Sequence, residues 1–241
     1  VFETLKIIEH KIIFFDDHLE RLIKGCQTLG IKFEVSHQKI KEDSYRLLKA
    51  NDIKNGALKI LYSKNKDDVY LLLTTRQNPY TEEDYKKGFK LTISDIRRNQ
   101  HSILPYIKSS NYIENLIENK KAKEKGFNEV IFLNTDNFMA EGSVSNIFWI
   151  KDGELFTPSV ECGLLPGIVR EKVILCSNNI GLKVNEGKFS KEELINSDEV
   201  FITNSIMDIM PVSSILDNEY SINKNNITKS IIESYNRMLG E

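Results

Sequence analysis

Cysteine is scarce in this 241-residue chain: Cys26, Cys162 and Cys176 form no C-x-x-C pair and leave an odd thiol. A disulfide framework is thereby excluded, and the pattern points to a reducing compartment in which the thiols act as small buried hydrophobes. No metal-ligand spacing stands out, so no metal site is expected. Nor does any apolar run approach the roughly 18 residues that a membrane span needs. Charge of one sign is lacking as well, because 33 Lys and Arg interleave with 35 Asp and Glu for a formal net charge of -2. That balance offers no basic surface for nucleic acid. At 40% hydrophobic and 28% charged residues the chain carries enough apolar matter to bury a core. No signal-peptide n-region precedes the opening β-branched stretch VFETLKII, Val1 to Ile8, and the expected location is the cytoplasm. Since residue 1 is Val and not Met, something upstream is expected to be missing.

Periodicity then sketches a two-domain α/β chain. Leu19, Leu22, Ile23, Cys26 and Leu29 fall at helical spacing after Asp16 and Asp17, which can cap, and Gly30 stops the run. A second helix is predicted over Ser36 to Ala50. Strands follow at Ala57 to Tyr62 and Val69 to Thr75, with Asn78 and Pro79 ending the unit, and another strand at Leu91 to Ile96. The aperiodic stretch from Arg97 gives a division into a small α/β domain (1–97), a connection (98–106) and a larger domain (107–241) of short strands and helices. The larger domain opens with a helix from about Asn111 to Lys125 that should carry Ile113, Leu116, Ile117 and Ala122 inward. Strands at Glu129 to Leu133, Asn146 to Ile150 and Leu155 to Thr157 come next, the last two joined by the hairpin pair Asp152-Gly153. Then come a helix from Gly167 to about Asn178, a strand at Leu182 to Glu186, a small helix near Ser190 to Ile195, a strand at Val200 to Thr203, and a closing helix from about Asn226 to Leu239.

Five segments combine polar or small residues with buried-looking strands: DHLERL (Asp17 to Leu22), IKSSNY (Ile107 to Tyr112), AEGSVSNIF (Ala140 to Phe148), LPGIVR (Leu165 to Arg170) and FITNSIMDIMPV (Phe201 to Val212). Singly, each has a plain reading. Lys108 reads as a solvated charge, Glu141 as a turn acid before Gly142, Arg21 as a surface ion pair, and Pro166-Gly167 as a helix start.

Together, and in this order, they resemble the class IV aminotransferase superfamily, the fold-type IV enzymes that use pyridoxal 5′-phosphate (PLP). VFET is similar to that family's G-x-F-E-T/S strand, and the H-x-x-R-L, K-S-x-N-Y, E-G-x-x-S-N-I-F and L-P-G-I-x-R motifs follow over nearly the whole chain. In the family a further strand precedes VFET. The resemblance implies a two-domain α+β fold with a pseudo-barrel in the larger domain, a small-molecule substrate and a homodimer. It also implies that Lys108 bonds the PLP aldehyde and moves the proton at the reacting carbon. Glu141 would face the pyridine nitrogen and keep it protonated. Arg21, the N–H groups of Ile168 and Val169, and the Ser205 hydroxyl would hold the phosphate, and Tyr112 the 3′ oxygen. Where many members have Thr this chain has Val169, which removes one hydroxyl. Asn111, Asn146, Asn204 and His18 are expected to be structural.

Within the superfamily, LKILYSKNKDDVYLLLTTR lacks both the Tyr-x-Arg-Pro strand of branched-chain enzymes and the Arg-Gly-x-x-x-Arg turn of D-amino acid enzymes. The RRN stretch from Arg97 and the CGLLPGIVR segment look closer to bacterial 4-amino-4-deoxychorismate lyases. The resemblance therefore implies that lyase, with a branched-chain or D-amino acid aminotransferase as the alternative. A degenerate member without cofactor is the second alternative.

Overall fold

The computed structural model describes residues 1–66 and 68–240. It divides into two compact units, Val1–Pro79 with Ile107–Asn111, and Tyr80–Tyr106 with the chain from Tyr112 onward.

In the first unit, strands β1 (Phe2–Ile8) and β2 (Lys11–Ile12) are followed by helices α1 (Phe15–Thr28) and α2 (His37–Ala50), then by strands β3 (Gly56–Asn65) and β4 (Asp68–Arg76). The four strands form one antiparallel sheet in the order β2-β1-β3-β4. Alternation along β1 turns Glu3, Leu5 and Ile7 inward. Against that face Leu19, Leu22 and Cys26 of α1 close a core with Ile40, Leu58, Ile60 and Tyr62, each large apolar side chain contributing about 1.5–3 kcal/mol through burial. Ser36 caps α2 as its position predicts, accepting the Lys39 N–H at 3.2 Å. The cap expected of Asp16 and Asp17 is absent. The N-cap of α1 is Phe14 in the left-handed region, and the two acids lie in the first turn, where they face the positive end of the helix dipole.

The second unit begins with α3 (Glu82–Lys87), closed by a capping box between Thr81 and Asp84, and β5 (Phe89–Arg98). Helix α4 (Ile113–Glu124) and strands β6 (Glu129–Asn134), β7 (Met139–Gly142), β8 (Asn146–Lys151) and β9 (Glu154–Pro158) follow. Helix α5 (Ile168–Asn179), β10 (Val184–Gly187), α6 (Lys191–Ile195), β11 (Glu199–Asn204), β12 (Asp208–Ile215), β13 (Asn218–Glu219) and α7 (Asn226–Leu239) complete it. The sheet runs β10-β9-β8-β11-β12-β5-β6-β7, with β13 on β12. Met139 at one end of this path donates to the Phe189 carbonyl just beyond β10 at the other, at 2.8 Å, so the sheet curls back on itself. This is the expected α+β architecture with its pseudo-barrel.

Two expectations need correction. The strand around Leu91 does not join the first unit. β5 pairs in parallel with β12 and β6, and residues 107–111 rejoin the first unit, where Phe2 N–H donates to Lys108 O at 2.9 Å. The division at 97 and 106 thus gives way to one at Pro79, with a return of five residues. Of the four residues of α4 expected to turn inward, only Ala122 does so. Ile113, Leu116 and Ile117 are exposed (61%, 46% and 45%), while Glu118 and Ala122 are buried. Ser94 hydrogen-bonds Glu118 at 2.7 Å, and Ala122 packs beside Val130 and Phe132. The polar-looking side wins because its one buried acid is satisfied.

Candidate active site

In the first unit Lys108 is half-buried in a short turn, where Ser109 N–H bonds Ile107 O at 2.8 Å. Its Nζ lies 5.1 Å from the centroid of the Phe2 ring, which also carries Lys59 Nζ at 4.6 Å. Cation–π attraction thus gathers two ammonium groups on one ring.

Glu3, next along β1, points into the core and is fully buried. α1 answers it with two residues one turn apart. Arg21 Nε donates to Glu3 Oε1 at 2.8 Å and its NH2 group to Oε2 at 2.7 Å, a bidentate fork, and His18 Nδ1 meets Oε2 at 2.7 Å. Burial pushes the Glu3 carboxyl up, but the Arg21 charge and the hydrogen bonds from Arg21 and His18 outweigh it and hold the group at about 2. Burial lowers His18, so the imidazole is neutral and must carry its proton on Nδ1 to donate to the carboxylate. Arg21 is therefore not the surface ion pair of its plain reading.

In the second unit Glu141 sits on β7 with little exposure. Its Oε2 accepts the Leu165 N–H at 2.9 Å, and Oε1 lies 3.4 Å from the NH2 group of Arg98. Arg98 ends β5, donates from NH1 to Asn115 Oδ1 at 2.9 Å and lies over the Phe132 ring at 4.4 Å. The Arg98–Glu141 contact is an ion pair without hydrogen-bond geometry, so Arg98 Nε and NH2 remain buried donors with no acceptor among the described residues. Asn146, at the head of β8, donates to Leu165 O at 3.0 Å. Its Oδ1 would stand 2.0 Å from a Cβ on Gly167. That close approach, and not the ordinary φ of -72° at Gly167, is what demands glycine there. Two of the motifs, AEGSVSNIF and LPGIVR, thus meet at one turn, and from it α5 starts with Ile168 and Val169 and no side-chain cap. Ser205 lies in the turn between β11 and β12, where Asn204 Oδ1 accepts the N–H groups of Ile206 and Met207, both at 2.9 Å. Tyr112 is the N-cap residue of α4.

Some organising residues were not visible in the sequence. Glu129, at the head of β6, accepts from Asn119 Nδ2, from the Ser143 N–H and hydroxyl, from Val144 N–H and from the Ser145 hydroxyl, and so shapes the loop after Glu141. Only the acid at a buried strand position hints at this. Glu3 left a similar trace, a charge in phase with Leu5 and Ile7.

The chain is similar to known proteins along most of its length. An aminodeoxychorismate lyase of Bacillus subtilis is 31% identical over 244 residues, covering 96% of this chain and 82% of its own. A D-alanine aminotransferase of Bacillus licheniformis is 31% identical over 227 residues, covering 89% and 78%. The crystal structure of a branched-chain amino acid aminotransferase from Thermobaculum terrenum, in its PLP form, superposes with a TM-score of 0.85 at 25% identity, over 99% of this chain and 84% of that one. A family model, amino-transferase class IV, matches residues 1–215, and the chain belongs to that family of PLP-dependent enzymes.

Proposed function

We propose that the chain is a PLP-dependent 4-amino-4-deoxychorismate lyase, forming 4-aminobenzoate and pyruvate. The observation that carries the cofactor is the buried Glu141 carboxylate, anchored through Leu165 N–H and flanked by Arg98 donors that have no acceptor among the described residues. Such a carboxylate suits a pyridine nitrogen, and orphaned buried donors mark a place for a polar ligand. In support, α5 begins on a glycine that brings no side chain to its first N–H groups, a suitable seat for phosphate. The donor set therefore fits PLP.

When bound, PLP supplies an electron sink for the carbon that bears the substrate amine. Lys108 Nζ holds the cofactor. The same lysine amine would take the proton from that ring carbon and return one to the methylene carbon of the departing enolpyruvate. Glu141 holds the pyridine nitrogen protonated. Arg21, the Ile168 and Val169 N–H groups and the Ser205 hydroxyl orient the phosphate, and Tyr112 the 3′ oxygen.

The 31% identity to a lyase over nearly the whole chain supports this reading, as does the absence of both arginine motifs. The equal identity to a D-alanine aminotransferase supports a transaminase as the second reading. Incubating the PLP-loaded protein with aminodeoxychorismate, and separately with D- or branched-chain amino acids plus 2-oxoglutarate, distinguishes them. 4-Aminobenzoate with pyruvate supports the lyase, and glutamate formation alone overturns it. A homodimer is proposed too, supported by the exposed stripe Ile113, Leu116 and Ile117 on α4.

A further inference from the structure

We propose that Glu3 and His18 are positioning residues that fix the guanidinium of Arg21 for the phosphate of PLP, an inference that rests on Arg21 being a phosphate anchor. An arginine side chain has many rotamers, and one that must freeze on binding gives back much of what its charge contributes. Here the freezing is already done. Glu3 lies wholly inside the first unit, its backbone fixed by the β1–β3 ladder where it pairs Ile60. Both of its oxygens meet the Nε–NH2 edge of Arg21 at 2.8 and 2.7 Å, which sets the plane of the guanidinium as well as its place. His18, three residues earlier on the same face of α1, donates to Oε2 and keeps the carboxylate from swinging. A buried carboxylate whose only purpose was packing would be poorly chosen, because an apolar residue of similar volume does that task without desolvating a charge.

The same strand serves the other proposed anchor. Phe2, the neighbour of Glu3, donates its N–H to Lys108 O at 2.9 Å and lies under Lys108 Nζ. Two successive residues of β1 therefore set the lysine and the arginine relative to one another.

The test compares PLP with pyridoxal, which lacks the phosphate. Binding of each is measured by fluorescence quenching, in native protein, Arg21→Ala, Glu3→Gln and the double variant, well below their melting temperatures. The expected result is that Glu3→Gln weakens PLP binding about tenfold or more and leaves pyridoxal binding unchanged, as loss of a charge-assisted contact would. In the Arg21→Ala background Glu3→Gln should add no further loss. A merely structural role predicts equal effects on both ligands, and that outcome overturns the proposal, as does unchanged PLP binding in Glu3→Gln. Arg21→Ala with native PLP affinity removes Arg21 from the site and the proposal with it. Native protein that binds no PLP overturns the functional reading as well. Should Glu3→Gln fail to fold, His18→Leu removes one donor to Oε2 and is read the same way.

Discussion

Acidification should unload the Glu3 carboxylate in a way that one substitution isolates. Its folded value of about 2 lies below the 4.5 of an unperturbed glutamate, after burial, which opposes the shift, has been outweighed by Arg21 and His18. For a depressed carboxyl the sign is fixed. The stabilisation is complete above the unfolded value, and it is lost as pH falls from about 4.5 through about 2, because only the unfolded chain takes the proton readily in that window. At 1.36 kcal/mol per unit, a shift of this size contributes about 3 kcal/mol near neutrality, an order-of-magnitude figure for a fully buried group. Glu3→Gln keeps the shape and cannot titrate. The difference in unfolding free energy between native protein and Glu3→Gln, from urea titrations across the acid range, should therefore shrink by about 1.4 kcal/mol per pH unit as pH falls. Using the difference matters, because other carboxylates titrate in both proteins. Arg21→Ala should cost more than Glu3→Gln, about 3–5 kcal/mol, since it leaves a buried carboxylate alone. A difference that stays flat between pH 5 and pH 2 would show that the Glu3 fork does not hold its charge, and the reasoning would fail.

Other outcomes follow from single residues. Lys108→Ala should carry no covalent cofactor after borohydride reduction of the PLP-incubated protein, and a labelled variant would remove Lys108 from its role. Glu141→Gln should retain PLP and slow proton abstraction about tenfold or more for each pKa unit lost at the pyridine nitrogen; normal single-turnover rates in stopped flow would return Glu141 to a turn acid. Gly167→Ala places a Cβ 2.0 Å from Asn146 Oδ1 and should destabilise by about 1–3 kcal/mol, read from the melting temperature. If the α4 stripe is a dimer face, Ile117→Glu should lower the mass found by light scattering, and an active native monomer at high dilution would refute the dimer.

Where a feature has a local cause, sequence alone determined it. Ser36 starts α2 because its hydroxyl meets the N–H three residues on, and Asp152-Gly153 turns because both residues adopt positive φ, at 49° and 78°. The five motifs in order announced the family and named Lys108 and Glu141. Short-range pattern could not say which sheet would receive β5, because its parallel partners β12 and β6 lie far along the chain. β7 and β12 went unseen although each pairs with the strand just before it, β6 and β11, because their turn-like or mixed residues become strands only when a neighbour supplies the ladder.

Periodicity showed that Ile113, Leu116 and Ile117 share a face of α4, and the three do lie together. Which way that face turns was decided by Ser94 and Phe132, which reward the burial of Glu118 together with Ala122, the one expected residue that does turn inward. Glu3 shows the division most sharply. Its place in the alternation Glu3, Leu5, Ile7 put a charge on the inward side of a strand, and that much is sequence. That the charge would be met by Arg21 and His18 required α1 to pack on that face with its one-turn pair aligned, a relation set by tertiary packing alone.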